Sequence, residues 1–292
     1  MKLLPAVPRS VVQRLSDRYI AGSTLDDARR TVVGLNAEGK TATVDVLGEE
    51  VTRPEEAVTI AGAYHAALDA IAGDHLDANV SVKLTALGLE VDLDLCRSLL
   101  ATVVADAAAR GTFVRIDMEQ SACTDDTLRL YRELREAGRD NVGVVLQSCL
   151  RRSLADADAL VDLRPNVRIC KGIYLEPESI AYTDFEEIRA SFVRSLEALV
   201  ETASYVGIAT HDAFLIAEGK RIARERYEFQ MLLGVRESLG RELVRDGERL
   251  RIYVPFGRQW YEYSLRRLQE NPRIAGYIAT GTVGRLFSRN GS

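Results

Sequence analysis

The feature that most constrains this chain is a repeated alternation. Eight short β-prone runs recur at 41–48 (TATVDVLG), 79–85 (NVSVKLT), 113–120 (FVRIDMEQ), 141–148 (NVGVVLQS), 167–172 (VRICKG), 205–211 (YVGIATH), 227–234 (YEFQMLLG) and 250–257 (LRIYVPFG). Helix-prone stretches separate them, at 54–73, 92–110, 125–137, 154–163, 184–203, 213–225 and 236–246. Another, at 258–269, follows the last run, and a charged one at 9–37 precedes the first. Strands joined by helical crossovers pair in parallel, and repeated βα units define an α/β fold. An open doubly wound sheet is the rival architecture. The count of eight, a length of 292 residues and the lack of GxGxxG after the first run favour a closed (β/α)8, TIM-like barrel. The organisation expected is an N-terminal helical segment over 1–40 and a barrel domain over 41–292.

Composition narrows the function classes. A formal net charge of -5, from 38 basic and 43 acidic side chains, disfavours a nucleic-acid surface. No apolar run approaches the ~18 residues of a spanning helix, and the proline-broken start does not read as a secretory signal. The expected location is therefore cytoplasmic. The four cysteines form no CxxC pair and, with only three histidines, make no metal-ligand spacing, so buried free thiols and no metal are expected.

Polar residues gather where the β-prone runs end. Lys83 and Thr85, Asp117 with Glu119 and Gln120, Gln147 and Ser148, Arg168 with Lys171, Thr210 with His211 and Asp212, Gln230, and Tyr253 fall there in turn. In a barrel these ends converge on one mouth. Lys83 and Asp117 interrupt otherwise apolar runs, and a buried charge needs a partner, so the two are expected to pair with each other. On the last helix Tyr263 lies three and four residues from Arg266 and Arg267, which puts an aromatic ring and two guanidiniums on one face, chemistry suited to a small carboxylate with an apolar body. Arginines on a helix are more often a solvated face.

The strings SVKLT, RIDMEQ, LQS, VRICKGIY, ATHD, EFQMLLG, YVPFG and YSLRRLQENP resemble, in order and over most of the chain, the proline dehydrogenase family in its monofunctional bacterial form. The resemblance implies flavin adenine dinucleotide (FAD) as cofactor and oxidation of L-proline to Δ1-pyrroline-5-carboxylate, the first step of proline catabolism to glutamate, with hydride passing from proline C5 to FAD N5. It implies a quinone as electron acceptor, hence a peripheral contact with the inner face of the cell membrane. A separate pyrroline-5-carboxylate dehydrogenase would act downstream. It also implies a distorted barrel whose last helix lies over the strand C-terminal ends. By the same resemblance Arg266 and Arg267 clamp the substrate carboxylate with help from Lys83, Asp117 holds Lys83, and Tyr253 and Tyr263 pack on the pyrrolidine ring. Arg168, Gln147 and Gln230 contact the flavin ring system, and Lys171, Gly172, Thr210 and His211 the rest of the cofactor.

Ile173, Asp212 and Leu233 depart from the family pattern, where a small residue, asparagine, and an aromatic or histidine are usual. Asp212 adds an acid near the cofactor region. Another flavin barrel, an enzyme acting on hydroxyproline, and a barrel kept only for binding remain as rivals; the residues carried over from the family are all present, which disfavours the last.

Overall fold

The computed structural model describes residues 18–48, 51–257 and 259. Eight parallel strands close into a barrel in sequence order: β1 (Thr41–Val46), β2 (Ala78–Val82), β3 (Val114–Ile116), β4 (Val142–Gln147), β5 (Asn166–Cys170), β6 (Tyr205–Ala209), β7 (Tyr227–Leu232) and β8 (Leu250–Phe256). Closure is made by β1 against β8, with Thr41 opposite Arg251 and Val46 opposite Phe256. Around it run α1 (Leu25–Ala37), α2 (Pro54–Gly73), α3 (Leu93–Ala109), α4 (Thr124–Glu136), α5 (Ser153–Asp158), α6 (Phe185–Thr202), α7 (Ala213–Ile222) and α8 (Glu237–Arg245). The (β/α)8 expectation is met.

Local chemistry sets the helix starts. Thr24 and Asp27 form a reciprocal capping box ahead of α1, and Asp92, Asp184 and Asp212 accept the first free N–H groups of α3, α6 and α7. The 9–37 helix expectation needs correction. Among the described residues helix begins at Leu25, where the cap falls, and 18–24 is turn and coil; 9–17 lies outside the described residues. The 154–163 helix is also broken. It stops at Asp158, resumes as a single 3-10 turn over Val161–Leu163, and ends where Arg164 turns to φ 45° ahead of Pro165.

The core lies between the barrel and its helices, not inside the barrel. Val80, Val82, Val114, Ile116, Val142, Val144, Val167, Ile169, Ile208, Phe229 and Val254 are buried under the helix layer, packed against such residues as Leu68, Leu100, Leu130, Phe192 and Leu215. Each buried aliphatic side chain of this kind contributes about 1.5–3 kcal/mol. The alternate residues of the strands point inward and many are polar. Helix α1 packs on β8 and β1, and its approach crosses the top of the wall, where Ala21 N donates to Pro255 O at 2.9 Å and Gly257 N to Gly22 O at 3.0 Å. The outer-ring place that a helix following β8 would take is thus held by α1. The expected last helix at 258–269 lies, apart from Gln259, outside the described residues.

Candidate active site

The inward-facing polar residues form a hydrogen-bonded network through the barrel, from the C-terminal ends of the strands down to the starts of β7 and β8. Lys83, just past β2, donates from Nζ to Asp45 Oδ2 on β1 at 2.7 Å and to the Tyr253 hydroxyl on β8 at 3.3 Å. The Tyr253 hydroxyl donates to Asp117 Oδ2, just past β3, at 2.8 Å. Asp117 Oδ1 accepts from Arg168 Nη1 on β5 at 2.6 Å and from the Ser81 hydroxyl at 2.6 Å. Arg168 Nε donates to Gln230 Oε1 on β7 at 2.5 Å. Gln230 Nε2 then donates to Glu228 Oε1 at 2.7 Å, which also accepts from Arg251 Nε at 2.6 Å. β3 and β5, β5 and β7, and β3 and β8 are not neighbours in the sheet, so these contacts run through the interior.

The expected Lys83–Asp117 pair is therefore corrected. Among the described residues Lys83 forms an ion pair with Asp45 and Asp117 forms one with Arg168, while Lys83 and Asp117 are joined through the Tyr253 hydroxyl and the Lys83 charge still lowers the Asp117 carboxyl. Asp45 carried the same signal as the others, an acid inside an apolar run, and was missed, as were Arg115, Glu228 and Arg251 within their strands. Asp45 is 0% exposed, and burial pushes its carboxyl up, opposed by Lys83. For Asp117 burial is outweighed by the charges of Arg168 and Lys83, which hold its carboxyl below the usual range. Both acids are bound to cations, which is what a buried carboxylate requires.

Arg115 lies on β3 two residues before Asp117. Its partners are carbonyl oxygens, Val144 O at 2.9 Å and Asn166 O at 2.8 Å, together with the Asn166 side chain, and its Nε has no hydrogen-bond partner. Burial and the Arg168 charge push its guanidinium down to about 9, so it stays a cation at neutral pH. Gly143 makes room for it: a Cβ there would stand 2.5 Å from Arg115 Nη1 and from Asn166 O.

The cofactor-side residues lie on β4 to β7 and the turns above them. Gln147 Nε2 donates to Glu119 O at 2.7 Å, and Glu119 Oε2 accepts from Thr85 N at 3.0 Å, which ties β2, β3 and β4 at the mouth. Gly172 holds φ +94°, and a Cβ there would meet Cys149 Sγ at 2.4 Å and Gln147 Oε1 at 2.7 Å. Thr210 Oγ1 accepts from Asp212 N at 3.1 Å. His211 Nε2 accepts from Leu232 N at 3.0 Å, which places the ring proton of the neutral imidazole on Nδ1. Lys171 Nζ donates to Asp212 Oδ2 at 2.6 Å. Glu176, in the loop after β5, accepts from Ser121 N at 2.6 Å and the Ser121 hydroxyl at 2.7 Å, joining two loops of the mouth.

The structure thus brings Lys83, Asp117, Tyr253, Gln147, Arg168, Lys171, Gly172, Thr210, His211 and Gln230 to one end of the barrel. Tyr263, Arg266 and Arg267 lie outside the described residues. Cys96, Cys123, Cys149 and Cys170 are free thiols, the first three buried, with burial raising those three to about 12 and Cys170 to about 11. Among the described residues no group of three or more His, Cys, Asp or Glu could hold a metal, and no helix is long and apolar enough to cross a membrane.

A closed parallel barrel with cations, carboxylates and amides focused at the strand C-terminal ends defines a barrel enzyme, with its site built on the strand ends. The proline dehydrogenase family model matches residues 28–279. The chain is 36% identical over 285 residues to proline dehydrogenase of Deinococcus radiodurans, covering 94% of this chain and 92% of that one. It is 34% identical over 272 residues to proline dehydrogenase 1 of Bacillus subtilis, covering 91% and 90%. In structure it resembles proline utilization A from Bdellovibrio bacteriovorus inactivated by N-propargylglycine, with a TM-score of 0.80 and 27% identity over 89% of this chain. It spans 33% of the length of that larger protein. The chain belongs to the proline dehydrogenase family.

Proposed function

We propose that this chain oxidises L-proline to Δ1-pyrroline-5-carboxylate with FAD as its cofactor and a quinone as the final electron acceptor. The observation that carries the reading is the line Asp45–Lys83–Tyr253–Asp117–Arg168–Gln230, which fixes two cations and a phenol at the barrel mouth.

The donor set fits a flavin dinucleotide. Arg168 supplies a cation held from two sides, Gln147 and Gln230 supply amides, and the positive φ at Gly172 allows a close backbone approach. Lys171 and the start of α7 stand where an anionic diphosphate is favoured by charge and by the helix dipole. When bound, the flavin supplies the two-electron acceptor for hydride removal from the substrate.

The chain's own residues bind and orient. Lys83 presents a fixed ammonium that Asp45 prevents from swinging away, and it joins Arg266 and Arg267 in holding the proline carboxylate. The Tyr253 ring, with Arg168 5.5 Å and Lys83 6.0 Å from its centroid, offers an apolar face for the pyrrolidine ring while its hydroxyl is anchored on Asp117. Arg168, held by Asp117 and Gln230, would set a fixed positive charge beside a bound flavin and so favour its reduced form electrostatically. Asp117 is held by Arg168 with its carboxyl below the usual range, and Asp45 is fully buried against Lys83, so neither is placed to take a proton from the substrate and the amine gives it to water before its C–H bond breaks. The enzyme acts in the cytoplasm with a peripheral membrane contact at the quinone step, and a separate dehydrogenase consumes the product.

The test is turnover of the FAD-loaded protein with L-proline and a short-chain quinone, measuring pyrroline-5-carboxylate. Formation of that product supports the reading. Quinone reduction by other amino acids and not by L-proline contradicts it.

A further inference from the structure

Asp212 caps the start of α7 beside the proposed diphosphate site, and its surroundings explain how an acid is tolerated there. Its two carboxylate oxygens receive four donors. Oδ2 accepts from Lys171 Nζ at 2.6 Å and Arg189 Nε at 2.8 Å, and Oδ1 accepts from Arg189 Nη2 at 2.8 Å and Phe214 N at 3.1 Å. Arg189, on α6, thus grips Asp212 in the two-pronged geometry that guanidinium and carboxylate favour. Its own position is fixed by aromatic faces, with Cζ 4.3 Å from the Phe185 ring centroid and 5.0 Å from that of Phe214. Lys171 Nζ lies 4.0 Å from the same Phe185 centroid. The remaining charged neighbour, Glu186, bonds Arg189 Nη1 at 2.9 Å from a side chain 72% exposed, where solvent screens it.

We propose that Arg189 is a cofactor-positioning residue: by sharing the Asp212 carboxylate with Lys171 it leaves the Lys171 ammonium only partly neutralised and able to attract the diphosphate of a flavin dinucleotide. With Lys171 alone, Asp212 would cancel the one cation at the start of α7. With Arg189 present, two cations share one part-buried carboxylate, so Asp212 does not cancel Lys171 by itself, and the second acid of the cluster, Glu186, stands out in solvent. The inference rests on the FAD reading above.

The experiment is titration of the apoprotein with FAD, followed by flavin fluorescence, for wild type, Arg189→Gln, Arg189→Lys, Asp212→Asn and the Arg189→Gln/Asp212→Asn double variant. Arg189→Gln is expected to raise Kd about tenfold, the effect of about 1.4 kcal/mol. Arg189→Lys, which keeps a cation without the fork, should fall between. Asp212→Asn should bind within about threefold of wild type, because asparagine also caps a helix and the acid is gone. The double variant should recover most of the affinity lost in Arg189→Gln, a rescue that a purely structural arginine would not give. Unchanged affinity in Arg189→Gln, or no recovery in the double variant, overturns the proposal while FAD binding by wild type leaves the functional reading standing. Should Arg189→Gln not fold, a large loss of affinity in Asp212→Asn alone overturns it equally. Wild-type apoprotein that takes up no FAD overturns both.

Discussion

Arg168 and Asp117 meet at 2.6 Å inside the barrel although their strands are separated in the sheet by β4. Both side chains are nearly buried, 7% and 9% exposed, so each charge depends on the other to remain in a place shielded from water. Tyr253 and Ser81 complete the acceptor capacity of Asp117, and Gln230 holds the far side of Arg168. The cation proposed to face the cofactor is therefore positioned by residues from four other strands or the turns just past them.

Asp117→Asn removes the charge and keeps the shape. The expected outcome is a stability loss of up to about 3–5 kcal/mol, the range for breaking a buried ion pair from one side, with kcat reduced on the order of 10²-fold. Urea unfolding and steady-state kinetics with L-proline measure the two effects.

Asp45→Asn leaves Lys83 without its carboxylate. Because Lys83 is assigned to substrate binding, the main expected effect is a rise in KM for L-proline of about tenfold or more, with a smaller change in kcat. A change confined to kcat would contradict that assignment.

The Asp212 cluster gives a pH signature. Burial would raise its carboxyl, but hydrogen bonds from Arg189 and Lys171 prevail and hold it well below the usual carboxylate range. A depressed folded-state value contributes stability that is present above the unfolded value of 3.8 and is lost as pH falls toward the folded value. The difference in unfolding free energy between wild type and Asp212→Asn should be constant from neutral pH down to about 5 and shrink below about 4. Denaturant titrations across that range check it.

Gly172→Ala combines a backbone strained at φ +94° with a Cβ 2.4 Å from Cys149 Sγ. The expected cost is about 1–3 kcal/mol, read from the denaturation midpoint. A variant as stable as wild type would show that the turn can relax.

The four thiols should resist alkylation in the folded protein near pH 8, since raised values between about 11 and 12 leave little thiolate. Iodoacetamide labelling counted by mass spectrometry, native against unfolded, tests this.

Much of the architecture was legible because βα alternation is a local pattern, and every one of the eight strand runs overlaps a strand of the barrel. The ends were less so. The run at 113–120 gives a strand only over Val114–Ile116; Asp117 N still bonds Val82 O at 2.8 Å, and beyond it the chain turns so that Glu119 meets Thr85. Lys83 and Asp117 were legible as buried charges, but their partners were not. Pairing across a closed barrel depends on which inward side chains reach one another through the interior, and Lys83 meets Asp45 on β1 while Asp117 meets Arg168 on β5. Arg189 gave no signal at all, since an arginine on an amphipathic helix reads as a solvated face until the α6 and α7 starts are seen side by side.

The charged strand ends are proposed to hold a flavin and to present L-proline to it. Anaerobic addition of L-proline to the FAD-loaded protein, followed through the flavin absorbance bands, tests this most directly. L-proline is expected to bleach the bands, and hydroxyproline to bleach them less. A yellow protein whose spectrum ignores L-proline would contradict the proposal.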